Sequence, residues 1–224
     1  ELGIPLSEED AKKSYVEVSG RKGLGVKADD LIDKLIEKAR AEVDARHQGK
    51  PEAERAEVAR RIAVGALRYF MLKFTRNTVI AFDLQEALSF EGETGPYVQY
   101  SAVRARNNFR KMEERGEQMP DFAAVLTREA FARQLEFEPF WQLLLNAMEL
   151  DKALASALAS GEPGHMAKYA FTLAQAFNAF YHDYPILKEE NAEKRVFLLW
   201  LALYFRRQLE ATLDILGIPA PEYM

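Results

Sequence analysis

The sequence predicts an all-α protein, a helical bundle with a short amino-terminal loop and linker segment. Apolar residues recur at the spacing of one helix face along most of the chain. The one run that alternates as a strand does is Tyr15-Val16-Glu17-Val18. Glycine and proline stand mainly where one periodic segment ends and the next begins. These observations together predict helices joined by short breaks.

The break at residues 49–51 is the natural boundary of the chain. A helix is predicted before it, over 28–46, with one apolar face made by Leu31, Leu35, Ala39 and Val43. A second helix is predicted over 51–74, with an inner side made by Val58, Ile62, Leu67 and Met71. We therefore expect an amino-terminal part, residues 1–50, and a helical bundle, residues 51–224.

The later helices begin and end at residues that favour helix boundaries. Asp83 is expected to cap a short helix that ends at Leu88, with Glu86 as its capping-box partner. Pro96 stands in the first turn of a long helix, where its missing N–H costs nothing, and Gly116 follows the end of that helix. Further helices are predicted over 122–133, 137–148, 150–160, 163–184 and 189–216.

Composition excludes several classes of function. The chain has no cysteine, which excludes disulfides, thiolate metal sites and a cysteine nucleophile. Its longest apolar run, 196–205, is about half the length that spans a bilayer. The first residues lack the basic region of a signal peptide. We therefore expect a cytoplasmic protein without membrane contact.

Net charge argues mildly against nucleic acid as a ligand. The chain carries a formal charge of -5, whereas nonspecific nucleic-acid binders are usually basic, because counterion release rewards lysine and arginine. An RNA-binding role would need local basic patches. One such cluster is predicted at Arg104, Arg106, Arg110 and Lys111, and another at Arg206-Arg207.

A stripe of two tyrosines and one arginine is the most informative feature of the long helix. Tyr97, Tyr100 and Arg104 fall at i, i+3 and i+7, about 130° away from an apolar stripe made by Val98, Ala102, Ala105 and Phe109. Rings beside a guanidinium suit unstacked RNA bases. Periodicity leaves a second interpretation open, in which both tyrosines cover another helix–helix contact.

Other candidates are weaker when taken alone. The glycines of the turn 90–95 would allow its backbone to approach a partner closely, but they are equally typical of a surface turn that binds nothing. In the basic segment 18–25, the glycine-rich backbone and two cations could bind a phosphate group; the other interpretation is a flexible surface loop. Tyr181 shares a stripe with aromatic residues, which favours a core position. The histidines are scattered along the sequence and no pair of residues stands out as an acid and a base. The sequence therefore predicts no metal site and no catalytic triad.

Four blocks resemble one family in the same order along the chain. Residues 62–72, which include Ala66-Leu67-Arg68, are similar to the Ala-Leu-Arg helix that opens the anticodon-binding bundle of arginyl-tRNA synthetases. Residues 82–100 resemble that family's most distinctive block, and 176–187 resemble a later one. Residues 213–224 resemble its carboxyl terminus, including the final Met.

The resemblance implies a site for the anticodon loop of tRNA-Arg. Five residues match positions near that loop or in its pocket: Tyr97, Tyr100, Arg104, Tyr181 and Met224. The turn with Gly92 and Gly95 matches a loop that contacts the anticodon. The resemblance thus implies a monomeric tRNA-binding part of an arginine–tRNA ligase. A non-catalytic helical module that binds protein is the main alternative, and a complete small enzyme with an unnoticed site is a third.

The resemblance also implies a remnant of a catalytic domain in residues 1–50. Ser19, Arg21 and Lys22 resemble the loop that stabilises ATP phosphates in class I synthetases, although Glu17 and Val18 replace the usual Lys-Met. The parent enzyme would use ATP with magnesium. The nucleotide-binding fold would lie upstream, so we expect this chain to have no catalytic residue, cofactor or metal and to be inactive alone.

Overall fold

The computed structural model describes residues 15–16 and 25–224, and its regular structure is helical there, as the sequence predicts. A 3-10 turn at Ile186–Lys188 accompanies ten α-helices: α1 Ala28–Arg46, α2 Glu52–Leu72, α3 Leu84–Leu88, α4 Gly95–Glu114, α5 Phe122–Val125, α6 Arg128–Leu135, α7 Glu138–Met148, α8 Leu150–Ser160, α9 Gly164–Asp183 and α10 Ala192–Ile215. No helix in the described ranges is both long and apolar enough to cross a membrane.

Two helix predictions need correction. The predicted helix over 122–133 is two helices, α5 and α6, because Asp121 and Thr127 each accept hydrogen bonds from backbone N–H groups and so begin a new helix. Met71 is exposed rather than inside, because it follows Ile62 by nine residues and so lies on the opposite side of α2. The buried side of α2 continues instead through Tyr69 and Phe70.

Side-chain caps fix the start of the helices around the long helix α4. Asp83 accepts hydrogen bonds from the N–H groups of Gln85 and Glu86, as predicted. The Glu86 carboxylate does not complete a capping box but binds Lys73 Nζ at 2.8 Å. Thr94 caps α4 by accepting from Tyr97 N, one turn into the helix.

Among the described residues, apolar packing forms a large core, a smaller core and a minor cluster of Ala66, Phe70 and Ala87. In the large core, α4, α9 and α10 bury aromatic side chains against one another, among them Phe109, Phe177, Phe180 and Phe205. In the smaller core, the apolar side of α1 packs on α2, with Leu35 and Val43 among its buried residues. Tyr223 joins the smaller core, so it packs beside α1.

Helices α2 and α4 approach each other unusually closely, at Gly65 and Gly95. A Cβ on Gly95 would lie 2.3 Å from the carbonyl oxygen of Gly65, and a Cβ on Gly65 would lie 2.3 Å from Gln99 Nε2. Gln99 is fully buried and donates to the carbonyl of Arg61 on α2 at 2.9 Å. The absence of two side chains therefore makes room for a buried amide that joins the two helices.

The last eight residues form a carboxy-terminal tail, 217–224, that runs back over α2 and α4. Gly217 has a φ of 65°, which ends α10 in the left-handed region that glycine adopts without strain. Ile218 and Tyr223 are buried, so the tail is anchored at both ends. Met224 then lies next to α1 and α3.

Gly95→Ala is expected to destabilise the fold by about 1–3 kcal/mol, because the new methyl group meets backbone that cannot turn aside. Urea unfolding measures the loss. Gly49→Ala is the matched control, since a Cβ there meets nothing within 4 Å. Equal stability of the two variants would contradict a close contact between α2 and α4.

Candidate nucleic-acid interface

The stripe that the sequence singles out lies along the groove between α4 and α9. The apolar set on α4 is buried, as predicted, and Tyr97, Tyr100 and Arg104 are each partly exposed. The ring of Tyr97 packs on that of Phe171 on α9, with centroids 5.5 Å apart. The structure therefore supports a helix–helix contact for Tyr97. The hydroxyl of Tyr100, by contrast, accepts a hydrogen bond from Arg104 on the same helix.

Arg104 is held in place by side chains from both helices. Its Nη1 donates to Asn178 Oδ1 at 2.9 Å, and its Nη2 donates to Tyr100 Oη at 3.1 Å. The guanidinium carbon lies 4.7 Å from the ring centroid of Tyr100 and 5.2 Å from that of Tyr181. Asn178 is itself fixed by donating to Ser101 Oγ at 2.8 Å. The guanidinium is thus oriented before any ligand arrives.

A row of aromatic and cationic groups continues from Arg104 to α1. Phe90, in the turn before α4, meets Tyr100 edge to face with centroids 6.3 Å apart. The guanidinium carbon of Arg46 lies 5.3 Å from the centroid of the same Phe90 ring. The site row, as we call it, consists of Tyr181, Arg104, Tyr100, Phe90 and Arg46.

A pocket opens at the Arg46 end of the site row. Its volume is about 530 Å³, and its walls come from α1, α2, α3 and the chain terminus, with Arg46, His47, Phe90 and Met224 among them. Burial, together with the nearby charges of Arg46 and Lys50, lowers the pKa of His47 below its usual value. Six of the thirteen lining residues are polar or charged, so the pocket suits a flat, partly polar ligand.

The two glycines of the predicted site have different roles. Gly92 is exposed with a φ of 77°, so it permits the tight turn next to Phe90. Gly95 is buried against Gly65, so its missing side chain serves the contact between α2 and α4. The predicted phosphate-loop residues, Ser19, Arg21 and Lys22, lie outside the described residues.

Side chains of α2 and α4 bind the tail that leads to Met224. Three successive tail carbonyls each accept a hydrogen bond: that of Pro219 from Gln99, that of Ala220 from Arg61 and that of Pro221 from Arg106. Beyond them, the ring of Tyr223 meets the ring of His47 edge to face, with centroids 4.6 Å apart.

The prediction of one basic cluster on α4 is wrong. Arg104 faces α9, whereas Arg106 binds Glu210 on α10 at 2.7 Å and Arg110 lies 3.6 Å from Glu114 on its own helix. Because each residue turns the helix by about 100°, positions two and six after Arg104 lie on another side. Lys111, seven positions on, does return to the side of Arg104 and is exposed.

Sequence patterns did not single out Asn178 and Arg46 as parts of the site. Asn178 carried a detectable signal, since it is an amide within the apolar stripe of α9. Arg46 carried none, because only the tertiary fold brings the end of α1 to Phe90. Among the described residues, no group of three or more acidic or histidine side chains is placed to hold a metal ion.

A family model for the DALR anticodon binding domain matches residues 98–224, more than half of the chain. The chain belongs to this family. The match includes Tyr100, Arg104, Tyr181 and Met224, whereas Tyr97 lies one residue before it. The site row and the tail are therefore largely within the part that defines the family.

Proteins similar to the chain are arginine–tRNA ligases. That of Thermus thermophilus is 36% identical over 215 residues, which cover 93% of this chain and 34% of the ligase. That of Thermococcus kodakarensis is 35% identical over 208 residues, which cover 92% of this chain and 32% of the ligase. The chain thus spans about a third of the length of these relatives.

Solved structures show the same fold. A structure of Thermus thermophilus arginyl-tRNA synthetase matches with a TM-score of 0.74 and 32% identity, over 89% of this chain and 32% of that one. Arginyl-tRNA synthetase from Plasmodium falciparum matches with a TM-score of 0.72 at 22% identity, over 89% of this chain and 34% of that one, and so shares the fold.

Glu57 binds Arg61, which in turn binds the tail. Because of Glu57, the free energy of unfolding is expected to depend on pH in the acid range. Hydrogen bonds from Arg60 and Arg61 lower the pKa of its carboxyl from 4.5 to about 2. Since the folded-state pKa is depressed, the stabilisation is present above pH 4.5 and is lost as the pH falls towards 2.

Urea unfolding of the wild type and Glu57→Gln measures this effect. The advantage of the wild type is expected at neutral pH and should shrink below pH 4.5, the ordinary pKa of this carboxyl. It is expected to be small, because the Glu57 side chain is 41% exposed and exposed ion pairs are screened by solvent. A difference that stays constant down to acid pH would rule out a depressed pKa.

Proposed function

We propose that this chain recognises the anticodon loop of tRNA-Arg. The observation that carries the proposal is the guanidinium of Arg104, which is held against the rings of Tyr100 and Tyr181 and bonded to Asn178. Two of its five N–H donors bind Asn178 and Tyr100, so its fixed plane can offer the others to an RNA phosphate or base edge.

The site row suits a single-stranded loop better than a duplex. Its rings are partly exposed and lie next to one another, and unstacked bases can stack on such rings in succession. The pocket beside Phe90 and Met224 has room for one further base at the end of the row. Membership of an anticodon-binding family and similarity to arginine–tRNA ligases support tRNA-Arg as the RNA.

The negative charge of the whole chain is compatible with this role, because the site row itself contains two cations, of which Arg46 is paired with Glu42 at 3.1 Å. Arg46 and Arg104 belong to the site row, and the exposed Lys111 lies on the same side of α4 as Arg104. A few cations next to stacking rings can attract RNA locally, and the binding should then weaken with added salt. The main alternative, a helical module that binds protein, does not require this arrangement.

In the proposed parent reaction, arginine is joined to tRNA-Arg with ATP and magnesium. Residues 51–224 would supply recognition, and residues 1–50 would be the linker helix and the edge of a catalytic domain, with Ser19, Arg21 and Lys22 in its phosphate loop. We also propose that the chain is monomeric and cytoplasmic. Because it spans about a third of the length of its relatives, we propose that it does not charge a tRNA by itself.

A calorimetric titration tests the proposal directly. The chain should bind tRNA-Arg about tenfold or more tightly than the same tRNA with a substituted anticodon, because a substituted base loses hydrogen bonds to its edge, and one such bond to a charged group is worth about 1.5–3 kcal/mol. Both titrations must be made at one salt concentration, since salt changes nucleic-acid affinity strongly. Equal affinity for the two RNAs, or no binding to either, would remove the proposal.

Tyr100→Ala should weaken binding of tRNA-Arg by about 1–3 kcal/mol, because it removes both a stacking surface and a hydrogen-bond partner of Arg104. Tyr204→Ala is the matched control, since Tyr204 is a partly buried tyrosine that stacks on Trp200, in α10. Thermal unfolding checks that both variants fold. Unchanged affinity in a folded Tyr100→Ala protein would exclude the site row as the binding surface.

A protein-binding role is the second candidate, and one surface favours it. Helix α7 and the residue before it present an exposed apolar stripe made by Phe137, Trp141, Leu145 and Met148. Exposed apolar patches of this kind often mark interaction sites. If the folded chain fails to bind tRNA-Arg in the titration above, protein binding through this stripe becomes the leading function.

A further inference from the structure

Three consecutive backbone carbonyls of the tail are bound by side chains of α2 and α4. Gln99 Nε2 donates to the Pro219 carbonyl at 2.7 Å. Arg61 Nη1 donates to the Ala220 carbonyl at 3.3 Å, and Arg106 Nη1 to the Pro221 carbonyl at 3.1 Å. The tail is therefore positioned from the side, by groups that belong to the helical framework.

The tail can do little to position itself. Pro219 and Pro221 lack backbone N–H groups, and residues 218–221 have no helical structure. Their carbonyls need partners from elsewhere in the protein wherever they are buried. The side chains that bind them therefore decide the path by which the chain reaches Tyr223 and Met224.

Each of the two arginines is oriented by one glutamate. Arg106 Nε donates to Glu210 Oε1 at 2.7 Å, and Arg61 Nε donates to Glu57 Oε1 at 2.7 Å. A guanidinium that uses Nε for a carboxylate and Nη1 for a carbonyl has its plane fixed by two bonds. Glu210 comes from α10, so α4, α10 and the tail are joined at this point.

We propose that Arg106 and Glu210 are positioning residues for RNA binding, which hold the tail so that Met224 closes the pocket beside Phe90. They act through the tail and do not touch the RNA. The inference rests on the proposed function, since it assigns a role to residues outside the site row. A shift of the Pro221 carbonyl would be transmitted to Met224, three residues further along the chain.

Direct binding of RNA phosphate is the competing explanation. The same residues line a polar cleft of about 590 Å³ that contains four arginines: Arg60, Arg61, Arg106 and Arg206. The two explanations predict opposite signs for the removal of the Glu210 charge. If the cleft binds phosphate, losing a negative charge should strengthen binding of a polyanion. If Glu210 orients Arg106, the same change should weaken it.

Glu210→Gln in the full chain is therefore the decisive variant. Glu210 accepts from Arg106 and, at 3.3 Å, from Arg206 on its own helix. Affinity for tRNA-Arg is expected to fall about tenfold, the effect of losing the charge-assisted bond to Arg106. Glu114→Gln is the matched control, because Glu114 pairs only with Arg110 on the exposed side of α4. Unchanged or tighter binding by folded Glu210→Gln would overturn the proposal.

A double variant tests whether the effect passes through the tail. In a Met224→Ala background, Glu210→Gln should change affinity by less than about twofold, because coupled residues are not additive. An undiminished tenfold loss would overturn the proposal. If Glu210→Gln does not fold, Arg106→Lys replaces it, since lysine keeps the charge but cannot reach the carboxylate and the carbonyl in the same geometry.

The failure of this proposal can be distinguished from failure of the proposed function. A wild-type chain that does not bind tRNA-Arg would remove the function itself. A wild-type chain that binds, together with a Glu210→Gln variant that binds equally well, would remove only the positioning role.

Discussion

The contact between α2 and α4 determines where the parts of the candidate site lie. Gly65 and Gly95 allow the two helices to approach so closely that no Cβ fits between them. Gln99 then bridges the contact, because its amide donates both to the Arg61 carbonyl and to the Pro219 carbonyl of the tail. A single buried amide thereby joins α2, α4 and the end of the chain, and burial makes these bonds costly to break.

The candidate site has two halves, one on α4 and one at the end of the tail. On the side of α4 that faces α9, Arg104 and Tyr100 are held next to Asn178 and Tyr181. On the side of α2, the bound tail brings Met224 to the pocket between α1 and α3. Phe90 lies between the halves, since it contacts Tyr100 and also lines that pocket. The site is thus one surface assembled from segments far apart in sequence.

The sequence predicted the elements well where local chemistry decides them. Helix α1 has the predicted bounds, and Asp83 caps α3 as expected. The single helix predicted over 122–133 was wrong, because apolar periodicity continues through this segment although Asp121 and Thr127 each cap the start of a separate helix. Periodicity also could not show that Arg106 binds Glu210 on α10. The periodic pattern assigns a side chain to one face of a helix, but it does not identify the residue that the side chain contacts.

The sequence by itself determined the all-α class, most helix boundaries and the face of α4 that carries Tyr100 and Arg104, since each follows from spacing within about two turns. Only the tertiary structure decided that Asn178 fixes Arg104, that Arg46 lies on Phe90 and that Gly95 serves packing. These are contacts between residues distant along the chain. They depend on how closely helices approach, and that distance is set by side-chain volume on both partners, which no single segment encodes.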